Sequence, residues 1–253
     1  MTQAVFITGA SSGLGQALAR QYAARGATLG LLGRREDALR TLAASLPGAH
    51  RCYAVDVRER AALHAAAADF LGLTGGRIDV VIASAGISAG TLSEHAEDYA
   101  VFEAIVHTNL LATVATFEPF IAPMRARGQG RLVGIGSVAG VRGLPGAGAY
   151  SASKAALAVY CESLRLELAP AGIKVVTIAP GYIRTPMTDG NPYRMPFLMA
   201  PEAFARRAAA AIAQGRRYTV IPWQMGIVAR LMRLLPGWLY DRLARNAPRK
   251  PRR

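Results

Sequence analysis

Tyr150 and Lys154 stand four residues apart in Tyr-Ser-Ala-Ser-Lys, within a stretch whose pattern continues as helix through Leu168. At helical spacing the phenol and the ammonium share one face, one turn apart. An ammonium beside a phenol favours the phenolate, so a group with a reference pKa of about 10 is drawn toward neutrality. The pair is a candidate general acid/base. The same spacing also occurs on ordinary helix surfaces, so its meaning depends on the elements that position it.

Those elements begin at the N-terminus. Ala4 to Thr8 reads as a strand, Gly9-Ala10-Ser11-Ser12-Gly13-Leu14-Gly15 as a turn, and Gln16 to Arg25 as a helix. Glycines at 9, 13 and 15 permit a tight turn and close backbone approach, and the free amides of a helix N-terminus suit a pyrophosphate. Gly9, Ser11, Ser12, Gly13, Leu14 and Gly15 are therefore candidate dinucleotide ligands. The spacing is G-x-x-x-G-x-G rather than G-x-G-x-x-G. A second strand, Thr28 to Leu32, ends at Gly33-Arg34-Arg35, where an acid would bind the ribose 2′-OH of NAD and an arginine pairs with the 2′-phosphate of NADP. Arg34 and Arg35 favour NADP(H) over NAD(H); the competing reading is that they merely open the helix Glu36 to Leu46.

The alternation continues with strand His50 to Val55, helix Glu59 to Leu71, strand Ile78 to Ala83, helix Ala96 to Met124 and strand Gly130 to Gly136. Such alternation implies an α/β fold with a parallel sheet covered on both faces. Ligands in these sheets bind at the carboxyl ends of the strands. Asp56 and Val57 stand at such an end to receive the adenine, and the small residues Ser84 to Gly86 at another, leaving room for a cofactor beside the backbone. After strand Lys174 to Ile178, an irregular stretch to Ala200 carries Met187, Met195, Phe197 and Met199 and reads as a lid, about residues 186–200, over an apolar substrate. The alternative is a plain surface loop tucking those side chains into the core.

Composition bounds the class. The chain has 253 residues, 52% hydrophobic and 18% charged, which suits one globular α/β domain. Cys52 and Cys161 lack redox or ligand spacing and read as reduced core thiols of a cytoplasmic protein. His50, His64, His95 and His107 lack paired ligand spacing, so no metal site is expected. The N-terminus lacks the pattern of an export signal. Net charge is +14, of which Arg216 to Arg253 supplies +9 through ten basic residues against Asp241. The excess sits in the tail, without the aromatic interleaving of a stacking surface, so no nucleic acid partner is expected.

Thr8-Gly9-Ala10-Ser11-Ser12-Gly13-Leu14-Gly15, Asp56-Val57, Asn109, Ser137, Tyr150-x-x-x-Lys154 and Pro180-Gly181 together resemble the short-chain dehydrogenase/reductase family, in family order and spacing over Ala4 to about Thr185. The resemblance implies a Rossmann-like, doubly wound, parallel seven-stranded sheet in a single domain. It implies hydride transfer between a nicotinamide and a carbonyl or alcohol carbon. It assigns Ser137 to the substrate oxygen, Tyr150 to proton transfer, and Lys154 to the nicotinamide ribose and to lowering the Tyr150 pKa. Asn109 would hold a water linking Lys154 to solvent, Thr185 and the Ile183 backbone would bind the nicotinamide carboxamide, and Pro180 would lie on the cofactor path. The resemblance also implies a homodimer or homotetramer, through the Tyr150 helix and the Ala96 to Met124 helix. One departure stands out: the family's Asn-Asn-Ala-Gly is Ala83-Ser84-Ala85-Gly86 here, with Ser84 as a partial substitute.

Residues 1–222 thus read as the catalytic domain and 223–253 as an amphipathic basic extension. Ile227, Val228, Leu231, Met232, Leu234 and Leu235 fall on one helical side with Arg230 and Arg233 opposite, Pro236-Gly237 breaks the helix, and Trp238 to Ala244 forms a second short run. No apolar stretch of this segment reaches the roughly 18 residues that span a bilayer. Two readings compete: packing on the pocket or on a neighbouring subunit, or peripheral attachment to the inner face of a membrane. The expected activity is NADP(H)-dependent oxidoreduction of a small apolar or lipid-like carbonyl or secondary alcohol. The alternative is a noncatalytic, cofactor-sensing binding protein on the same fold.

Overall fold

The computed structural model describes residues 2–191, 193–247 and 249–252. Strands β1 (Ala4–Thr8), β2 (Thr28–Gly33), β3 (Arg51–Ala54), β4 (Val80–Ala83), β5 (Gly130–Ile135), β6 (Ile173–Pro180) and β7 (Tyr218–Ile221) form one sheet in the order β3-β2-β1-β4-β5-β6-β7. Every neighbouring pair is parallel. The helices are α1 (Gly13–Ala23), α2 (Glu36–Ala44), α3 (Arg60–Leu73), α4 (Asp98–Val106), α5 (Ala112–Arg127), α6 (Gly148–Leu168), α7 (Pro201–Ala213), α8 (Trp223–Leu234) and α9 (Gly237–Ala244). The chain builds β1 to β3 outward in one direction and then returns to place β4 on the other side of β1. That reversal opens a crevice at the carboxyl ends of β1 and β4.

Strand side chains alternate between two cores. Val5 and Ile7 join Leu18, Leu39 and Phe204 on one face of the sheet, while Ala4 and Phe6 join Phe70, Phe120 and Leu157 on the other. Phe6 lies 5.6 Å from Phe70 and 5.0 Å from Phe120 between ring centroids, a buried aromatic cluster in which each side chain contributes about 1.5–3 kcal/mol. Both faces being covered, β4 is apolar throughout and β1 is apolar up to its last residue, Thr8, rather than alternating with polar residues.

The expected single α-helix from Ala96 to Met124 is instead α4 and α5 joined through π-helical residues His107–Leu111. Sequence periodicity does not reveal the inserted residue, because the apolar pattern continues across it. The continuous helix Asp98–Arg127 contains an 18-residue window with a mean hydropathy of 1.4 and has enough length to cross a membrane, yet it is a core helix with Phe117, Phe120 and Met124 fully buried. Pro119 lacks the N–H that would bond the Ala115 carbonyl, and His64 Nε2 of α3 meets that oxygen at 3.1 Å.

The extension differs from its expected amphipathicity. Met225, Ala229 and Tyr240 face inward, whereas Ile227, Leu231 and Leu234 are exposed on the same side as Arg230. α8 is apolar on two faces, so a single-moment reading of the sequence merged them. Tyr240 donates its hydroxyl to Gly143 O at 2.5 Å, and the Arg142 guanidinium lies 4.1 Å above its ring. The basic end folds back: Arg252 pairs with Asp98 at 3.0 Å and Glu97 at 2.8 Å, and Gly90 N–H donates to Pro251 O at 3.0 Å. Residue 253 of that basic end lies outside the described residues.

Candidate active site

Backbone geometry opens the crevice. Gly9 takes φ 68°, and a Cβ there would come within 2.8 Å of the Ala85 backbone; a Cβ at Gly15 would lie 2.3 Å from Gly9 O. Only glycine lets the turn, the start of α1 and the end of β4 approach this closely. Ser12 makes no side-chain cap and the first turn of α1 carries no acid, which leaves its amides facing the cleft. Thr8 Oγ1 accepts from Ser84 N at 3.2 Å and from Ala85 N at 3.3 Å, tying β1 to β4. The Ser84 hydroxyl itself is buried without a hydrogen-bond partner, so the expected substitution of Ser84 for a bracing asparagine is not made through its side chain. Thr8 performs the tie instead.

The cleft, about 320 Å³, is lined along one side by Gly9 and Ser11 to Gly15, and further along by Ser84, Gly86, Ser137, Tyr150, Lys154, Pro180, Ile183 and Thr185. Ser137 follows β5 and caps a short 3-10 turn, its Oγ accepting from Ala139 N at 3.1 Å. That turn packs on α6 at Gly140, where a Cβ would fall 2.8 Å from the Lys154 carbonyl carbon. Tyr150 lies in the first turns of α6. Lys154 is buried, its Nζ donating to Ile135 O at 2.7 Å and standing 5.8 Å from the Tyr150 ring centroid.

The electrostatics of the chain alone run against the expected lowering of the Tyr150 pKa. Burial raises the Tyr150 pKa, and the Ser137 side chain acts in the opposite, smaller sense as a hydrogen-bond partner. Burial pushes Lys154 down to about 8. The physical reason is that the ammonium is turned to a carbonyl rather than to the phenol oxygen, so desolvation dominates both groups.

Asn109 sits in the π-helical turns, fully buried. Its Oδ1 accepts from Ile87 N at 2.8 Å, and its Nδ2 donates to Ile87 O and to Ser153 Oγ, both at 3.0 Å. Ser153 Oγ in turn donates to Tyr150 O at 2.9 Å, so Asn109 braces the turn of α6 that carries the pair. A Cβ on Gly86 would lie 3.2 Å from Asn109 Oδ1 and 3.6 Å from Lys154 Nζ, which places both groups over that glycine.

At the far end of the cleft Arg34 and Arg35 follow β2, and both are exposed. Arg35 donates to Ser11 O at 3.1 Å and Ser11 Oγ at 3.3 Å. Val57 is buried, and Asp56 pairs with Arg58 at 2.8 Å, which holds its carboxyl below the usual range. Arg58 was not singled out in the sequence; a cation two residues past an acid at a strand end was the available signal. The arrangement fits a dinucleotide: open helix amides for the pyrophosphate, and a cleft that continues past Arg34 at the end of β2.

On the substrate side the expected lid separates into parts. Met187 lines the cleft, whereas Met199 packs against the main core, and its backbone pairs with Tyr182 O and Arg184 N at 3.0 Å each. That bridge engages the backbone on either side of Ile183, while Thr188 Oγ1 donates to Ile183 O at 2.7 Å. Phe197 is exposed with φ 58°, and Met195 is half-buried. Tyr193, unnoticed in the sequence, meets Tyr182 edge-on at 6.4 Å, and burial raises its pKa, with Tyr182 and Tyr150 acting in the same sense.

Comparison with known proteins agrees with this geometry. The family model described as short chain dehydrogenase matches residues 3–194. An uncharacterised oxidoreductase of Myxococcus xanthus (strain DK1622) is 36% identical over 247 residues, 95% of each chain. A protein of Bos taurus named dehydrogenase/reductase SDR family member 7B is 34% identical over 98% of this chain and 82% of its own. Among solved structures, levodione reductase superposes with a TM-score of 0.79 at 26% identity, covering 88% of this chain and 98% of that one.

Proposed function

The chain belongs to the short-chain dehydrogenase/reductase family, and from that premise we propose that it is an NADPH-dependent reductase of a small apolar or lipid-like carbonyl compound. The observation that carries the reading is the convergence of Ser137, Tyr150 and Lys154 on the cleft that the glycine turn opens. A nicotinamide dinucleotide bound there supplies the hydride. Ser137 Oγ orients the carbonyl oxygen. Tyr150, its proton retained because burial raises its pKa, donates that proton to the oxygen as the alcohol forms. Lys154 stabilises the resulting phenolate and holds the cofactor ribose. Asn109 fixes Ser153 and so the Tyr150 turn, and a water held between Asn109 and Lys154 returns the proton from solvent.

Arg34, with Arg35 and Arg58 beside it, supports NADP(H) over NAD(H), since no carboxylate at the end of β2 awaits a ribose 2′-OH. Met187, which lines the cleft, supports an apolar substrate. The cysteines are free, with Cys161 buried, which supports a reducing, cytoplasmic setting. Residues 1–222 form the catalytic unit in this reading, with 186–200 as its lid and 223–253 as an extension. A homodimer or homotetramer is supported by Tyr99 and Leu111 on the α4–α5 helix and by Val159 and Leu166 on α6, all exposed. A noncatalytic cofactor sensor has no use for the complete Ser137, Tyr150 and Lys154 set. The test is turnover of NADPH and NADH against a carbonyl panel. Faster NADPH oxidation, with Arg34→Asp lowering the NADPH/NADH preference roughly tenfold or more, is expected from loss of a charged hydrogen bond. An unchanged ratio would refute the cofactor assignment.

A further inference from the structure

We propose that α8 and α9 form a docking surface for an anionic lipid bilayer, on the outer side of the loop that leads to Tyr150. Their inner side is already satisfied. Met225 stands against Gly181, where a Cβ would fall 2.6 Å from its Cγ, and Arg142 and Gly143 hold Leu235 and Tyr240 by hydrogen bonds. The end of the chain is fastened as well, through Arg252 to Asp98 and through Pro251 to Gly90. The extension is thus a fixed part of the molecule, and its outer apolar face is not a core surface awaiting a fold.

That outer face is large and apolar. Leu234 is 80% exposed, Trp238 70%, Trp223 63% and Leu231 59%. Trp223, Ile227, Leu231 and Leu234 recur at helical spacing along α8, and Trp238 continues on α9. Scattered exposed leucines need no explanation, but a helical row that opens with Trp223, followed by an exposed Trp238 on the next helix, matches an interfacial segment, whose indoles sit at headgroup level.

Charge selects the occupant. Arg230, Arg233 and Arg242 are exposed on the same two helices and Arg245 directly after them, with Asp241 the one acid on the two helices. A second copy docking through the same patch would oppose these arginines to themselves, since a twofold interface is self-complementary. An anionic headgroup layer pairs with them instead. A hollow of about 380 Å³ beside the first turn of α8, walled by Arg207, Arg216 and Trp223, offers one headgroup a seat at the edge of the row.

Flotation of the full chain with vesicles tests the surface without any turnover. Vesicles of phosphatidylcholine with about one-third phosphatidylserine are expected to carry the protein upward, and pure phosphatidylcholine to leave it at the bottom. Leu231→Glu/Leu234→Glu/Trp238→Glu is expected to remain at the bottom with both vesicles while keeping its circular dichroism and NADPH binding. Arg230→Gln/Arg233→Gln, a milder change, is expected to reduce flotation and its sensitivity to salt. Recovery at the bottom with both vesicles for the unmodified chain overturns the proposal, as does undiminished flotation of the triple variant. So does an oligomer of the unmodified chain, seen by light scattering, that the triple variant abolishes, because the occupant is then a second copy. Failure of the reductase reading shows separately, as an absence of NADPH turnover in a protein that still floats.

Discussion

Lys154 carries the sharpest residue-scale consequence, because its ammonium is buried and its pKa falls from 10.5 to about 8. Below pH 8 the folded and unfolded forms are both charged, and folding bears the full cost of burying the cation. Between about 8 and 10.5 the folded form loses its proton first, so the cofactor-free protein gains stability as pH rises. Relative to Lys154→Met, the unfolding free energy from urea titration is expected to rise by up to about 3 kcal/mol across that window. A constant difference between the two proteins would show that the ammonium is not desolvated. At this scale the sequence was most legible where several residue types coincide: Tyr150, Lys154, Ser137 and Asn109 all reach one region because their spacings are those of successive elements. It was least legible where the outcome depends on which atom a side chain reaches. Lys154 turns to Ile135 O, Thr8 rather than Ser84 ties β1 to β4, and Arg58 engages Asp56. None of these follows from spacing.

At the scale of elements, six of the seven strands were legible because parallel strands are short apolar runs between turn residues, and β1 begins and ends where the sequence places it, whereas the short edge strand β7, Tyr218–Ile221, was not located. The π-helical turns at Asn109 and the two-faced α8 were not, since neither changes the local count of apolar residues. The last residues were read as a basic end of the extension, yet Arg252 forms three hydrogen bonds with the Asp98 carboxylate, at 3.0 to 3.2 Å. Pairing distant in sequence, with partners 154 positions apart, has no local signature. Arg252→Ala is expected to leave the Asp98 carboxylate without its cation and to lower the stability of the fold. It also releases the backbone bridge, so the Gly90 amide should exchange with solvent markedly faster by hydrogen-exchange mass spectrometry. Unaltered Gly90 exchange would mean that the bridge holds without the ion pair.

For the whole molecule, seven parallel strands and their crossovers bring the glycine turn, the arginines after β2 and the α6 pair to one edge of the sheet, although 145 positions separate Gly9 from Lys154. The opposite, solvent-facing surface of the α4–α5 helix and α6 supports association with another copy. Leu111→Glu/Val159→Glu is expected to lower the sedimentation mass of the protein without disturbing its circular dichroism; an unchanged mass would place any interface elsewhere. The central claim is that this assembly reduces a carbonyl with a proton from Tyr150. The most direct measurement is single-turnover oxidation of NADPH in the presence of an accepted carbonyl substrate, comparing the unmodified chain with Tyr150→Phe. The account predicts that the variant binds NADPH as before and loses roughly 10²-fold or more in rate, the usual share of a general acid. Full-rate turnover by Tyr150→Phe would contradict it.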